Sequence, residues 1–289
     1  MSTPSPSRRR VTGALLVALS AASFGGLAIF AKLAYADGAD TSAVLFLRFL
    51  LAGAAMAISV VATGKRWPRG KNLALIAAMG GIGYVGQSAC YFLALHHASA
   101  GLVALLLYVY PALVAVLATL FLRERMTWTR ALAVATALAG TMLTIGGSIH
   151  GSVLGVALGL GAAVIYSVYI TVGGRIMREE ASLPVSAVIM ISAAIVWGGV
   201  VLVHRPAFPS SGTGWAAVAA MALVSTVVAI AAFFAGIRRL GAGTAAALST
   251  LEPVVTTFLA ALFLGEAISA AQVMGGTVIL ASVIALARS

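Results

Sequence analysis

Residues 100–124 read AGLVALLLYVYPALVAVLATLFLRE, and residues 242–266 read AGTAAALSTLEPVVTTFLAALFLGE. Slid by 142 residues (242 − 100), the second stretch superimposes Ala242-Gly243 on Ala100-Gly101, Ala246 on Ala104 and Pro253 on Pro111. Leu259-Ala260 falls on Leu117-Ala118, Leu262-Phe263-Leu264 on Leu120-Phe121-Leu122, and Glu266 on Glu124. The same ungapped offset pairs Gly13 with Gly155, Leu16 with Leu158, Ala21 with Ala163 and Phe24 with Tyr166. One offset held over that distance marks a duplicated unit, with repeat one at residues 11–147 and repeat two at 153–289.

Both copies are built of long apolar runs. A bilayer core about 30 Å thick needs roughly 20 apolar residues in a helix. Ten stretches meet that requirement: Val11–Tyr35, Ser42–Ala62, Asn72–Leu95, Leu102–Leu122, Trp128–Gly147, Val153–Gly174, Leu183–Val203, Trp215–Ile237, Thr244–Leu264 and Ala267–Ala287. They are too long and too evenly apolar for the alternating strands of a membrane β-barrel. Composition agrees: 62% of residues are hydrophobic and 9% charged, with mean hydropathy +1.09. A soluble domain carries roughly 25% charged residues, so this chain has too few charges to cover a water-facing surface. No charged or Pro/Ser-rich linker divides it, which predicts one membrane domain.

Five spans per copy is an odd number, so the second copy enters the membrane from the opposite side. The expected fold is therefore an all-α membrane protein: ten transmembrane helices as two inverted five-helix repeats around a central cavity. Secondary transporters are commonly built this way, because two similar halves of opposite orientation give inward-open and outward-open states of comparable energy.

Charge fixes the expected orientation. With the N-terminus in the cytoplasm, the inner segments hold fifteen of the eighteen Lys and Arg residues, including Arg8–Arg10, Lys65, Arg66, Arg123, Arg125, Arg130, Arg175, Arg178, Arg238 and Arg239. Positive charge collects on cytoplasmic loops, so both termini are expected in the cytoplasm, and the membrane expected is a bacterial cytoplasmic (inner) one. Trp67, Trp128 and Trp215 fall at span ends, where an aromatic belt belongs. The net charge of +11 is scattered in short clusters, with no basic and aromatic face for bases. Nucleic acid is thus excluded as a partner. Arg8-Arg9-Arg10 and Ala34-Tyr35-Ala36 resemble signal-peptide flanks, but Val11–Leu33 exceeds an h-region of roughly 7–15 residues. An uncleaved first helix is expected. Cys90 stands alone, so neither a disulfide within the chain nor a thiolate zinc site can form; a buried, inert thiol is expected.

The pattern resembles a known family. Five-plus-five spans, Leu47-Arg48-Phe49 in span two, Tyr110-Pro111 with Phe121-Leu122-Arg123-Glu124 in span four, and Glu252-Pro253 with Phe263-Leu264-Gly265-Glu266 in span nine look like the drug/metabolite transporter superfamily, in particular its EamA domain. The likeness covers nearly the whole chain. It implies a basket of ten helices around a substrate cavity, and members that move amino acids, other metabolites and toxic cations, often outward. Within that group, the aromatic content is most similar to the bacterial aromatic amino acid exporters. Phe24 and Tyr166 stand where many members carry tryptophan, which leaves the substrate open.

Several residues suit transport. Glu252 is the one acidic residue deep inside a span, and a charge there is expensive, costing about 2.5–3.5 kcal/mol at the helix centre on the insertion scale. It suits pairing with a substrate amine or binding and releasing a proton; its counterpart in repeat one is Tyr110. A buried carboxyl that only packs helices is the plainer alternative. Pro111 and Pro253 lack an N–H and are expected to kink their helices. Tyr84, Gln87, Ser88 and Tyr91 recur on one face of span three, and Tyr108, Tyr110, Tyr166 and Tyr169 put further phenols inside spans. With Phe24, these make a candidate lining for amphipathic or aromatic solutes, or alternatively an ordinary packed helix interface. Trp197 in span seven leans toward packing. Arg48 lies near the outer edge, where it either snorkels or, as the matching family segment implies, meets a substrate carboxylate. Lys32 is expected to snorkel, and His96 and His97 to be solvated.

Gly81-Ile82-Gly83-Tyr84-Val85-Gly86 fits G-x-G-x-x-G, but no strand–helix unit surrounds it. Small residues there, like Gly155 and Gly159, are read as close helix contacts. No Walker motif, metal-binding HExxH or nucleophile–base pair occurs, so neither an enzyme nor a cofactor is expected. The expected function is secondary transport by alternating access, exporting amino acids, aromatic ones favoured, or related metabolites. The cavity would be lined by spans one, three, four, six, eight and nine. The rivals are an exporter of cationic drugs or polyamines, and a non-transporting membrane scaffold or receptor. Expected partners are a small-molecule substrate and the lipid bilayer, with the protein a monomer or weak homodimer.

Overall fold

The structure, a computed structural model, describes residues 6–95, 97–98, 100–145, 151–265 and 267–288. Among them it is entirely helical: α1 (Pro6–Gly25), α2 (Leu27–Ala36), α3 (Thr41–Ala62), α4 (Gly70–Ala78), α5 (Val85–Leu95), α6 (Ala100–Leu107), α7 (Tyr110–Leu122), α8 (Trp128–Ile145), α9 (Val153–Ile176) and α10 (Ser182–His204) come first. They are followed by α11 (Gly212–Ala222), α12 (Ala229–Leu240), α13 (Ala242–Leu248), α14 (Glu252–Leu264) and α15 (Ala270–Arg288). Nine helical stretches among the described residues are long and apolar enough to cross a bilayer; the final apolar helix, counted from Ala270 to Leu286, is shorter than these. The outside of the bundle is greasy, with Phe121, Leu120, Phe258, Leu262 and Phe263 all exposed. A surface of that kind belongs in lipid, since soluble proteins rarely expose contiguous apolar patches above a few hundred Å².

Three of the expected spans are broken into two helices, and each break has a local cause. Gly25 ends α1 and Gly26 separates it from α2, where the helix is weakened because glycine is a poor helix former. Pro111 and Pro253 sit in the first turns of α7 and α14, so the preceding helices stop at Leu107 and Leu248 and the chain restarts at the residue before each proline. A missing N–H is harmless at a helix start. In addition, Met79–Tyr84 and Leu223–Val228 are π-helical turns, one in each half. Such a widened turn shifts carbonyls out of register and recurs at functional positions.

The strongest packing joins the halves. α3 runs along α10, α8 along α15, α1 along α12, α5 along α9 and α7 along α13. Small residues set the approach. At the α8–α15 crossing, a Cβ on Gly140 would lie 2.8 Å from the Gly275 carbonyl oxygen. A Cβ on Gly80 would strike the Ile189 backbone, and one on Gly155 or Gly159 would come within 2.8 Å of Ala98 or Leu106. Without a hydrophobic drive between helices in lipid, close van der Waals contact of this kind holds the bundle together.

Hydrogen bonds across loops tie the ends. At one end, Arg9 donates to the Arg238 carbonyl (3.2 Å), Asn72 to the Glu179 and Glu180 carboxylates (3.3 and 3.0 Å), and Arg178 to the Leu122 carbonyl (2.7 Å). At the other, the Asp37 carboxylate accepts from the Ser210 and Ser211 amides (2.8 and 2.9 Å), and Asp40 from the Ala207 amide (2.8 Å). Hydrogen bonds from Ser211, then Ser210, hold the Asp37 carboxyl below the usual carboxylate range. Trp67, Trp128 and Trp215 are exposed.

Candidate functional site

The centre of the bundle is organised by a buried cation. Arg48 projects from α3 and is only 4% exposed; it does not snorkel. Its Nε donates to the Thr226 hydroxyl at 2.7 Å and its Nη2 to the Tyr84 hydroxyl at 3.0 Å. The guanidinium also lies over the Phe49 ring (5.1 Å) and the Tyr84 ring (5.9 Å), and such contacts contribute about 2 kcal/mol or more when desolvated. Tyr84 closes one π turn and Thr226 lies within the other. The Thr226 hydroxyl in turn donates to the Met221 carbonyl at 3.0 Å, which leaves its lone pairs for Arg48. Guanidinium carries five N–H donors, and these two bonds use only part of that set.

From Tyr84 a chain of rings runs through the core. Tyr84 meets Tyr169 at 5.5 Å between centroids, Tyr169 meets Tyr166 at 5.9 Å, Tyr166 meets Tyr110 at 4.8 Å and Tyr110 meets Tyr108 at 6.1 Å. Phe49 and Phe234 flank it, 5.5 Å from Tyr84 and 6.0 Å from Tyr169. Glu252, the first residue of α14, stands near the far end of this chain, within electrostatic reach of Tyr91, Tyr108, Tyr110, Tyr166 and Arg48. Its carboxylate accepts no hydrogen bond from a described residue.

The structure divides the residues singled out from the sequence. Phe24, Gln87, Tyr91, Tyr108, Tyr166 and Glu252 keep part of their surface accessible, although they come from the middle of five different spans; Arg48, Tyr84, Ser88, Tyr110 and Tyr169 are buried. The span-three stripe splits accordingly. Ser88 donates to the Tyr84 carbonyl at 2.9 Å, so its hydrogen is spent on its own helix, and Tyr91 turns to an edge contact with Phe92 at 5.7 Å. Of the two cavities described, neither is lined by the tyrosines, and the larger touches the ring chain only at Phe49. The larger, about 710 Å³, is an apolar groove between α3 and α10 around Phe46, Gly53 and Gly198; the smaller, about 110 Å³, lies by Thr256, Thr257 and Gln272.

Lys32 and His97 are exposed, whereas His96 and Glu266 fall outside the described residues. Cys90 is half-buried beside Gly161, less enclosed than expected. The Trp197 indole N–H and the Ser20 and Ser225 hydroxyls are buried without a partner among the described residues. Thr226, Phe49 and Phe234 were not anticipated as site residues. The offset of 142 residues would have flagged Thr226, because it is the counterpart of Tyr84.

A greasy helical bundle with a buried cation, a partly accessible carboxyl and phenols between them has the make-up of a membrane transporter. The chain belongs to the EamA-like transporter family, whose description matches it twice, at residues 11–146 and 153–288. It thereby fits the drug/metabolite transporter superfamily. It is 28% identical over 287 residues to the uncharacterized transporter YcbK of Bacillus subtilis, covering 93% of this chain and 90% of that one. It is 27% identical over 261 residues to a probable terminal-alkyne amino-acid exporter of Streptantibioticus cattleyicolor, covering 87% and 86%. A solved crystal structure shares the fold with TM-score 0.82 at 23% identity, over 94% of this chain and 95% of the other.

Proposed function

We propose that the protein exports an amino acid, aromatic side chains favoured, by alternating access between two inverted five-helix halves. The observation that carries this reading is the placement of Arg48 and Glu252, opposite charges within electrostatic reach of each other and joined by a ladder of tyrosine rings. A zwitterion offers a carboxylate for the unused guanidinium donors and an ammonium for Glu252. The phenols supply the apolar, stacking surface that a ring-bearing side chain needs, with few polar groups to fix orientation. Phe24, Gln87 and Tyr91, partly accessible, complete the lining, and Tyr84, Ser88, Tyr110 and Tyr169 support it from behind.

The last helix, α15, acts as the tenth span. With ten crossings both termini share one side, and the arginine-rich end tied through Arg9, Asn72 and Arg178 is read from its positive charge as the cytoplasmic face of a bacterial inner membrane. The cross-packing of α3 with α10 and of α8 with α15 supports an axis lying in the membrane plane. Glu252 also serves as the group that takes and releases a coupling proton. The protein works as a monomer or weak homodimer. A relative named as an amino-acid exporter supports the substrate class.

Counterflow into liposomes holding unlabelled amino acids tests the reading. Labelled aromatic amino acids are expected to accumulate, and quaternary ammonium compounds and polyamines to compete poorly. Competition by those cations in preference to amino acids would transfer the assignment to cationic drugs. Absence of any solute flux would leave a scaffold or receptor.

A further inference from the structure

The carboxylate of Glu124 is clasped by the other half of the molecule. Its Oε1 accepts from the Ala242 amide at 2.8 Å, and its Oε2 from the Gly243 amide at 3.3 Å and from Arg130 at 3.2 Å. Arg130 reaches on to the Thr244 hydroxyl at 2.6 Å, so one ion pair is bonded to the whole start of α13. A Cβ at Gly241, whose φ is +86°, would lie 2.6 Å from Oε1, so the turn accepts the carboxylate only because glycine stands there. Glu124 is aimed by Arg123, which ends α7 in the left-handed conformation at φ 56°, a costly geometry for a residue with a side chain.

The two ends of this helix pair are not alike. α7 packs along α13, and Ala242 to Thr250 are buried without interruption. Their counterparts under the 142-residue offset, α6 and α14, make no comparable packing among the described residues, and most of α14 keeps partial exposure. The ties of Asp37 and of Asn72 are formed at opposite ends simultaneously and so cannot distinguish one access state from another. The seal between α7 and α13 can.

We propose that Glu124 is the latch of the transport pathway at the arginine-rich end, holding α7 on α13 when that end is closed. The repeat supplies the reciprocal device. Glu266 matches Glu124, Ala100-Gly101 matches Ala242-Gly243, and Gly265 ends α14 with φ 68°, as Arg123 ends α7. By that sequence match the second repeat carries the residue types for a reciprocal latch at the opposite end. This deepens the reading of the protein as an alternating-access transporter but does not depend on the substrate.

The test is a distance measurement on the full chain in nanodiscs without substrate, with spin labels at Met126→Cys and Arg239→Cys in a Cys90→Ala background. Both positions are exposed at the latched end. Glu124→Gln is expected to lower the ratio of short to long distances about tenfold, Arg130→Gln to lower it less, and Glu266→Gln to raise it. Glu124→Asp, which keeps the charge and shortens the reach, gives an intermediate shift and serves if the Gln variant does not fold. An unchanged distribution in both Glu124 variants would make the clasp a static cap and overturn the proposal. Because no solute is present, that failure is distinct from a failure to move amino acids.

Discussion

Tyr84 and Thr226 stand 142 residues apart (226 − 84), at matching places in the two halves, and both hold the guanidinium of Arg48. Arg48 itself has no such twin: the offset puts the buried Met190 there. A cation contributed by one half is thus gripped by the π turns of both. Breaking either contact leaves a buried donor of a charged group unsatisfied, which costs about 1–3 kcal/mol or more.

Arg48→Lys keeps the charge and loses the planar fork, since ammonium presents a point charge without the paired geometry. The KM for an amino acid is expected to rise tenfold or more, while that for an amine lacking a carboxylate changes little. Equal losses for both substrates in proteoliposome uptake would assign Arg48 to architecture alone.

Glu252→Gln keeps the shape and removes the charge. Flux is expected to lose its dependence on an imposed proton gradient, and discrimination between an amino acid and its deaminated analogue should shrink about tenfold. An unchanged pH profile together with unchanged selectivity would leave Glu252 as a packing residue.

Gly140→Leu drives a side chain into the Gly275 backbone at the α8–α15 crossing, where a bare Cβ already lies 2.8 Å from the carbonyl oxygen. Overpacking of this kind costs about 1–3 kcal/mol. Thermal unfolding in detergent is expected to fall by several degrees, with the last helix first to lose protection from hydrogen exchange. Wild-type stability would mean that the two helices are not held at this separation.

Asp37→Asn weakens the tie between the 37–40 turn and the 207–211 loop. Hydrogen bonds from Ser211 and Ser210 hold the Asp37 carboxyl below the ordinary aspartate range, so its contribution is complete above that range and is lost as pH falls through the lowered value. Wild type and variant should therefore differ in unfolding temperature at neutral pH and converge in strong acid. A gap that widens on acidification would contradict this sign.

Much of this could be read from the residues in order. Long apolar runs and missing charges identified a membrane protein, because hydrocarbon tolerates only helices that satisfy their own backbone. The recurrence of Pro111 in Pro253 and of Glu124 in Glu266 exposed the duplication, and Tyr108, Tyr110, Tyr166 and Tyr169 were singled out as interior phenols. The sequence puts Arg48 near the outer edge and leaves it open between snorkelling and meeting a substrate carboxylate. A position near a span end permits both, and only Thr226, far along the chain, decides for the interior.

Periodicity, composition and the internal offset by themselves determined that the chain is duplicated, helical and lipid-embedded, since these follow from what each segment can do in a bilayer alone; the family came from the resemblance of its Pro and Phe-Leu-x-Glu segments. Tertiary structure decided the π turns, the grip on Arg48, the burial of Tyr84 and Tyr169 behind the more open phenols, and the seal of α7 on α13. Those features depend on side chains distant in sequence competing for the same donors and the same space, and no local pattern records the outcome of that competition.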